Sequence, residues 1–323
     1  MLSCGQAGIR VRSVRGSYIQ LKRRPMEISK RVKAVVIGIF FSILSGLFLP
    51  VSAVSDDLEA IRQRGFLRHL GVPYANFITG SGDGFSVELM HSFADYLDVE
   101  YQFVKTSWAE VIGHLTGKQF TVKDGKVTIT GACAIQGDLI SNGLTELDWR
   151  KELLAYSNPT FQTQVWLLTR ADAPLKPITP GDTVETDIAA VKAKLSGISV
   201  LGMSGTCVDP QLYHLTKYGA KIIFHQGNLN ELAPAVMSGL AESTLLDVPD
   251  SLVALQKWPN AFKIIGPVTR VQNMGVGFRK DSPQLREQFN AFLQKFRESG
   301  HYLELVQKYY PTAIYYFEDF FKK

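Results

Sequence analysis

Cysteine and histidine are scarce in this sequence, and neither is arranged as a metal site would require. Three cysteines and six histidines are scattered over 323 residues, without the paired spacing that is typical of zinc ligands. A glycine-rich phosphate-binding loop is also missing. We therefore expect no metal ion, no nucleotide and no other cofactor.

Basic residues are few once the N-terminus is set aside. Residues 1–53 hold nine of the 35 Lys and Arg residues and one of the 30 acidic residues, so the remainder holds 26 basic and 29 acidic residues. The positive net charge of the chain, +5, therefore comes entirely from the N-terminal segment. A mildly acidic remainder gives no indication of nucleic-acid binding.

The N-terminal segment has the three parts of a secretory signal peptide. A basic cluster at residues 30–33 precedes an uncharged apolar stretch at residues 34–49, and small residues up to Ala53 fit a signal peptidase site. Residues 1–53 are therefore predicted to be a leader cleaved after about Ala53, with Met26 as the expected start and the periplasm as the destination. An uncleaved membrane anchor is the alternative, because the stretch is only slightly shorter than the ~20 residues that span a bilayer.

Helical patterns and short apolar runs alternate along the remaining chain. Apolar residues at helical spacing predict one helix from Ser86 to Leu97 and another from Pro283 to about Gly300. The short apolar runs are Leu67 to Val72, Val165 to Leu168, Ile198 to Leu201, Ile222 to Phe224, Thr244 to Leu246 and Phe262 to Ile265. This alternation predicts an α/β fold.

One segment, at about residues 117–137, interrupts the alternation. Residues 121–123 and 126–129 are rich in Thr and Val and flank Asp124-Gly125, a dipeptide that is typical of two-residue hairpin turns. We predict an inserted β-hairpin in this segment.

The order of several short motifs resembles the family 3 extracellular solute-binding proteins of polar amino acid ABC transporters. The motifs are Pro73 to Phe77, Gly84 to Leu89, Ser107-Trp108, Gly137 to Ile140, Gly143 to Thr145 with Arg150, Ser157 to Phe161, Gly205-Thr206, Gly239 to Asp247 and Gly275 to Leu285. Each motif is weak by itself, but their order along residues 67–310 is specific.

The resemblance implies a type II periplasmic binding fold, in which two crossover hinge strands join two α/β lobes and the ligand lies in the cleft between them. Lobe 1 would comprise residues 54–167 and 265–323, with the inserted hairpin near the rim of the cleft, and lobe 2 would comprise residues 168–264. Cys133 and Cys207 would lie in different lobes, where a disulfide would clamp the hinge. Free thiols are therefore expected, although the compartment permits a disulfide.

Two charged residues would anchor the ligand, according to the same resemblance. Arg150 would grip an α-carboxylate, because its guanidinium offers two parallel N–H donors. Asp247 would accept a hydrogen bond from the ligand's ammonium group. The alternatives are an ordinary salt-bridge arginine and a helix N-cap aspartate.

Five further residues are carried over from the family as ligand-binding candidates. Thr145 and Thr206 would add hydrogen-bond donors to the carboxylate, one from each lobe, unless they serve as caps or turn formers. Tyr74 and Trp108 would stack on the ligand's side chain, unless they belong to the core. Gly143 stands where a serine often contacts ligand in the family, so one hydroxyl is missing here.

The residues that follow Thr206 argue against its predicted role in binding the carboxylate. Asp209-Pro210 is typical of a helix start. A helix that begins there, three residues beyond Thr206, would begin too late to aim its N–H groups at the carboxylate.

Together these features predict a monomeric periplasmic binding protein that captures an amino acid or amino acid-like molecule by hinge closure and delivers it to an ABC permease. No residue is assigned a catalytic role. One alternative is a periplasmic cyclohexadienyl dehydratase acting on prephenate or arogenate, with Glu146 and Glu231 as candidate acids. Another is a sensor that presents its ligand to a receptor.

Overall fold

A computed structural model of the chain describes residues 57–123 and 125–322. The predicted signal peptide and its cleavage site lie outside the described residues. Across these two described ranges, every helix is too short or too polar to cross a membrane.

Strands and helices alternate along most of the described chain. The strands are β1 (Phe66–Gly71), β2 (Glu100–Lys105), β3 (Lys118–Lys123), β4 (Lys126–Ala132), β5 (Leu139–Thr145), β6 (Leu154–Tyr156), β7 (Phe161–Thr163), β8 (Val165–Arg170), β9 (Ser199–Gly202), β10 (Lys221–Phe224), β11 (Ser243–Asp247), β12 (Phe262–Pro267) and β13 (Gln272–Arg279). The α-helices are α1 (Asp57–Arg64), α2 (Phe85–Leu97), α3 (Val111–Thr116), α4 (Asp148–Leu153), α5 (Val184–Ala193), α6 (Leu232–Met237), α7 (Val248–Lys257), α8 (Pro283–Glu298), α9 (His301–Tyr309), α10 (Ala313–Tyr316) and α11 (Glu318–Phe321). Short 3₁₀ helices cover Pro210–Tyr213, Leu215–Tyr218 and Leu229–Glu231.

The first sheet has the strand order β2-β1-β5-β13-β6, and β7 also pairs with β13. β1 lies parallel to β2 and β5, because helical connections return the chain to the same edge before each new strand. β13 runs antiparallel to β5, β6 and β7. Helices α2 and α8 cover the sheet, and their buried rings Phe93 and Phe289 lie 5.1 Å apart between centroids.

The second sheet has the order β10-β9-β11-β8-β12. β9 is parallel to β10 and β11, whereas β8 is antiparallel to β11 and β12. Helices α5, α6 and α7 pack against this sheet. These two mixed sheets with their helices confirm the predicted α/β class and form the cores of two lobes.

The chain crosses between the sheets twice, through two neighbouring segments. Gln164 follows β7 and precedes β8, and its side chain donates to the carbonyl of Thr269 on the returning segment at 2.8 Å. The backbone N–H of Val268 in turn donates to the carbonyl of Val165 at 2.8 Å. β8 and β12 both lie in the second sheet, and the bounds of lobe 2, residues 168–264, stay a prediction.

The segment predicted as an inserted hairpin forms β3 and β4, which pair only with each other among the described strands. Phe120 pairs with Ile129 and Val122 pairs with Val127. Directly paired residues on antiparallel strands project from the same face. The hairpin therefore has one apolar face, while most of its residues are exposed.

The C-terminal helices close over the junction between the lobes. Tyr310 accepts a hydrogen bond from the backbone N–H of Asn76 at 2.9 Å, and Phe321 packs on Phe161, with ring centroids 5.0 Å apart. Tyr316 meets Trp166 of lobe 2, with ring centroids 5.2 Å apart. The aromatic C-terminus thus contacts both lobes.

A buried carboxylate ties β5 to β1 at the start of the strand that leads to the site. Asp138 accepts hydrogen bonds from the Arg64 guanidinium at 2.5 Å, from the Arg68 guanidinium at 2.8 Å and from the Arg68 backbone N–H at 2.8 Å. Both arginines are partly exposed, so water compensates part of their charge.

Asp138→Ala should lower the free energy of unfolding by about 2 kcal/mol, because hydrogen bonds to charged groups are lost while a backbone N–H remains buried. Urea unfolding measures the difference. Asp95→Ala, at an exposed position of α2, is the matched control and should change stability by less than ~0.5 kcal/mol. Equal effects of the two variants would contradict this role of Asp138.

Candidate functional site

Arg150 lies in α4, which begins three residues after β5 ends, so the helix holds its side chain against the edge of the first sheet. The residue is 2% exposed. Its Nη1 donates to the carbonyl of Thr145 at 3.0 Å, and its Nη2 donates to the carbonyl of Gly205 at 3.0 Å. Since Thr145 belongs to lobe 1 and Gly205 to lobe 2, a single guanidinium joins the two lobes.

Several donors around this guanidinium are unused. Arg150 Nε, Thr145 Oγ1 and Trp108 Nε1 are buried and have no hydrogen-bond partner within the described ranges. Arg150 also lies 5.8 Å from the centre of the Trp108 ring and 5.3 Å from that of Trp149. Its hydrogen bonds go to neutral carbonyls, so no carboxylate of the described chain neutralises the buried charge.

Thr206 uses its hydroxyl within its own turn. The hydroxyl donates to the carbonyl of Met203 at 2.7 Å and accepts from the backbone N–H of Val208 at 3.3 Å. Asp209 caps the 3₁₀ helix Pro210–Tyr213 by accepting from the Gln211 N–H at 2.9 Å, which confirms that the helix begins late. The backbone N–H of Thr206 has no acceptor in the described chain and is what this residue can offer a ligand.

Asp247 ends β11 and is fully buried. It caps α7, because its Oδ1 accepts from the Asp250 N–H at 3.1 Å, and its Oδ2 accepts from the Cys207 thiol at 3.7 Å. Burial raises the pKa of Asp247 to about 6. Burial also raises the pKa of Asp250 well above its usual value, and the charge of Asp247 adds to that rise.

The rings of Tyr74 and Trp108 are in direct contact. Their rings meet edge to face, with centroids 5.6 Å apart, and Tyr74 also stacks on Phe77 at 6.1 Å. Burial, reinforced by the charge of Asp247, raises the pKa of the Tyr74 hydroxyl well above its usual value. Tyr74 is a core residue whose polar end adjoins Asp247, whereas Trp108 is half-buried and faces a cavity.

Backbone conformation and close packing against Phe77 both require glycine at position 143. It has a φ of +70°, and a Cβ added there would lie 2.5 Å from Cε2 of Phe77. Left-handed backbone is costly for residues other than glycine. The structure therefore leaves no room for the serine side chain that the family often has here, and a ligand could be contacted only by the backbone of Gly143.

A cavity of about 710 Å³ lies between the lobes and is closed on one side by the hairpin. Its walls combine aromatic and aliphatic side chains with a polar turn of lobe 2. They are lined by Trp108, Ala109, Ile112, Phe120, Val122, Gly125, Trp149, Ser204, Gly205, Thr206, Asp209, Gln211, Leu212, His214, Thr216 and Ile222. Of the residues predicted from the sequence, Trp108 and Thr206 border this cavity, while Tyr74 and Asp247 are buried beyond it.

Cys207 lies between Asp247 and Arg150. The sequence analysis did not identify it as a site residue. Its thiol donates to Oδ2 of Asp247, and it also lies beside Thr145 and Arg150, which oppose the rise of its pKa. Burial raises the pKa of the thiol to about 12. Cys207 and Cys133 are both free thiols. The only sequence signal for Cys207 was its place next to Thr206.

The two acids considered for a dehydratase are poorly suited to protonate a leaving group. Glu146 forms an ion pair with Lys151 at 3.2 Å. Glu231 is exposed, and its hydrogen bond with His225 lowers its pKa. The buried carboxyl groups with raised pKa values are instead Asp247 and Asp250.

Comparison with known proteins places the chain among solute-binding proteins. The family described as bacterial extracellular solute-binding proteins, family 3, matches residues 128–312. The histidine-binding periplasmic protein of Salmonella typhimurium is 20% identical over 240 residues, covering 72% of this chain and 80% of that protein. A membrane-bound lytic murein transglycosylase F of Desulfosudis oleivorans is 23% identical over 299 residues, which cover 90% of this chain but only 58% of the transglycosylase.

Solved structures share the architecture. A mutant of ArgBP from T. maritima has a TM-score of 0.62 at 24% identity, covering 79% of this chain and 99% of that chain. An ancestral amino acid-binding protein, a precursor of cyclohexadienyl dehydratase, has a TM-score of 0.63 at 22% identity, covering 78% of this chain and 99% of that chain. The likeness confirms the predicted two-lobed type II periplasmic binding fold.

Gly143→Ala should destabilise the protein by about 2 kcal/mol or more, because it adds overpacking against Phe77 to the cost of a left-handed backbone. Gly239→Ala, where φ is also positive but the added Cβ meets no atom within 4 Å, should cost only the backbone part, ~1 kcal/mol. Urea unfolding compares the two variants. If both cost the same, the close packing on Phe77 does not constrain Gly143.

Titration of Asp247 should contribute to the pH dependence of the free energy of unfolding. Because the folded-state pKa of about 6 exceeds that of an unfolded aspartate, roughly 3.9, the folded state holds the proton more tightly and stability should fall as pH rises through this interval. Asp247→Asn, which retains a good N-cap, should flatten this slope. Urea unfolding at several pH values from 4 to 7 is the measurement, and an unchanged slope in the variant would refute the assignment.

Proposed function

The chain belongs to the bacterial extracellular solute-binding proteins of family 3, and on this premise we propose that it captures an amino acid or amino acid-like molecule between its lobes in the periplasm and delivers it to an ABC permease. The α-carboxylate binds at Arg150, and the ammonium group binds at Asp247. Hinge closure then creates a surface that depends on bound ligand and that a permease can recognise.

The observation that carries the proposal is the unbalanced charge of Arg150. Buried charges in proteins are normally paired, and buried polar atoms are normally hydrogen-bonded. Here a buried guanidinium donates to two carbonyl groups and has no carboxylate partner, while its Nε, Thr145 Oγ1 and Trp108 Nε1 lack partners within the described chain. A carboxylate bound at this point would neutralise the charge and accept from these donors.

Asp247 supplies the complementary charge for a zwitterion. Burial favours its protonated form, and a nearby ammonium group favours the ionised form. The bond from the Cys207 thiol to Oδ2 is weak compared with a charge-assisted bond, so an ammonium group can displace it. Binding should therefore strengthen as pH rises through about 6.

Closure follows from the division of these contacts between the lobes. Thr145 and Arg150 belong to lobe 1, whereas Gly205, Thr206 and Asp247 belong to lobe 2. A ligand that contacts both sets stabilises the arrangement in which the sets are close together. Relatives named for histidine and arginine binding support an amino acid ligand.

A dehydratase is the second candidate, and one observation favours it. The raised pKa of Asp247 would suit a carboxylic acid that protonates a leaving hydroxyl. The binding role is preferred because it also accounts for the unpaired donors of Arg150, and because Asp247 already caps α7. Consumption of prephenate or arogenate by the purified protein would reverse this preference.

Thermal and denaturant unfolding with each of the twenty common amino acids tests the binding role, using protein expressed from residue 54. A ligand at 100 times its Kd should raise the free energy of unfolding by about 2.7 kcal/mol. Arg150→Ala should weaken binding at least ~30-fold, because the carboxylate loses its buried partner.

Arg170→Ala is the matched control, since Arg170 is partly exposed and pairs with Asp172 in lobe 2. It should bind the same amino acid as tightly as the wild type. Equal stabilisation of the wild type and of Arg150→Ala by one compound would show that the carboxylate is held elsewhere.

A further inference from the structure

The hairpin β3–β4 turns its apolar face towards the cavity between the lobes. Phe120 and Val122 project from that face and line the cavity. Thr121 and Thr128 pair with each other on the opposite face, because successive residues of a strand alternate between faces. The inserted hairpin therefore forms one wall of the cavity.

This wall is continuous with the carboxylate site. The ring of Phe120 lies 6.0 Å from that of Trp149, whose centre lies 5.3 Å from the Arg150 guanidinium. Leu212 and Ile222 of lobe 2 line the same cavity. A ligand held at Arg150 would thus extend between aromatic rings on one side and aliphatic side chains on the other.

The size of the cavity exceeds the needs of a small amino acid. Its volume of about 710 Å³ falls within the ~300–1,000 Å³ of pockets that bury drug-sized molecules. A ligand with a small side chain would leave most of this apolar surface in contact with water. Burial of a large apolar group against the aromatic and aliphatic part of the lining would therefore stabilise binding, while the polar turn of lobe 2 lines the rest of the cavity.

Charge argues against a cationic side chain in the same space. Among its lining residues the cavity has one carboxylate, that of Asp209. Asp209, the carboxylate among the lining residues, already accepts from the backbone N–H groups of Gln211 and Gly205. The guanidinium of Arg150 also lies against both tryptophan rings, and it would repel a second cation there.

We propose that the hairpin is the specificity element of the site and that the ligand is an amino acid with a large uncharged side chain, aromatic or long and aliphatic. The proposal rests on the proposed function, since Arg150 must hold the α-carboxylate for the side chain to enter this cavity. The side chain then packs against Trp108, Trp149 and Phe120.

Isothermal titration with L-tryptophan, L-leucine, L-arginine and L-alanine tests the proposal on the chain from residue 54. The wild type should bind L-tryptophan or L-leucine at least ~10-fold more tightly than L-alanine and L-arginine, since burial of a large apolar side chain gives about that factor or more. The double variant Phe120→Ala/Val122→Ala should bind the large apolar amino acid at least ~10-fold more weakly than the wild type does. Its affinity for L-alanine should stay within about threefold of the wild-type value.

Thr121→Ala/Thr128→Ala, on the opposite face of the hairpin, is the matched control and should bind as the wild type does. Phe120→Leu keeps an apolar wall and should retain most of the affinity, which separates loss of the wall from misfolding. Tighter binding of L-arginine than of L-tryptophan and L-leucine, or equal effects of the two double variants, would overturn the proposal.

Together with the unfolding experiments on the twenty amino acids and on Arg150→Ala, these titrations separate failure of the hairpin's role from failure of the proposed function. If amino acids bind and Arg150→Ala abolishes binding, but large apolar side chains have no advantage, only the role of the hairpin is wrong. If none of the twenty amino acids binds the wild type, the proposed function fails and the role of the hairpin fails with it.

Discussion

The guanidinium of Arg150 is buried where the two lobes meet, and no carboxylate of the described chain neutralises it. Taking a charge out of water costs several kcal/mol unless a partner compensates it. Arg150 receives one carbonyl from each lobe, Thr145 and Gly205, and no carboxylate of the described chain. The lobes therefore meet at a point where a bound anion would be stabilised, and under the proposed function this would couple their closure to the charge of the ligand.

The rest of the site is arranged around this charge by the ends of secondary structure elements. The end of β5 and the start of α4 bring Thr145 next to Arg150, and the end of β11 brings Asp247 to the start of α7. Cys207 lies between the positive and the negative group. The proposed zwitterion fits this polarity, and Phe120 and Val122 of the hairpin line the cavity that its side chain would enter.

Local chemistry made the α/β fold, the Asp124-Gly125 hairpin and the Asp209-Pro210 helix start predictable, because each is encoded by neighbouring residues. The roles of Arg150 and Asp247 followed from motif order and stay predictions. Contacts across the cleft were not predictable, such as the bond from Arg150 to Gly205, 55 residues away in sequence. Such contacts depend on how two lobes meet, which no periodicity records.

A crystal structure of the protein with its tightest-binding amino acid would show which side chains hold the ligand's carboxylate. We expect carboxylate oxygens within about 3.2 Å of Arg150 Nε and of Thr145 Oγ1 or Trp108 Nε1, with the ligand's ammonium group at Asp247. A ligand whose carboxylate lies away from Arg150, with the guanidinium still bonded only to Thr145 and Gly205, would contradict the account.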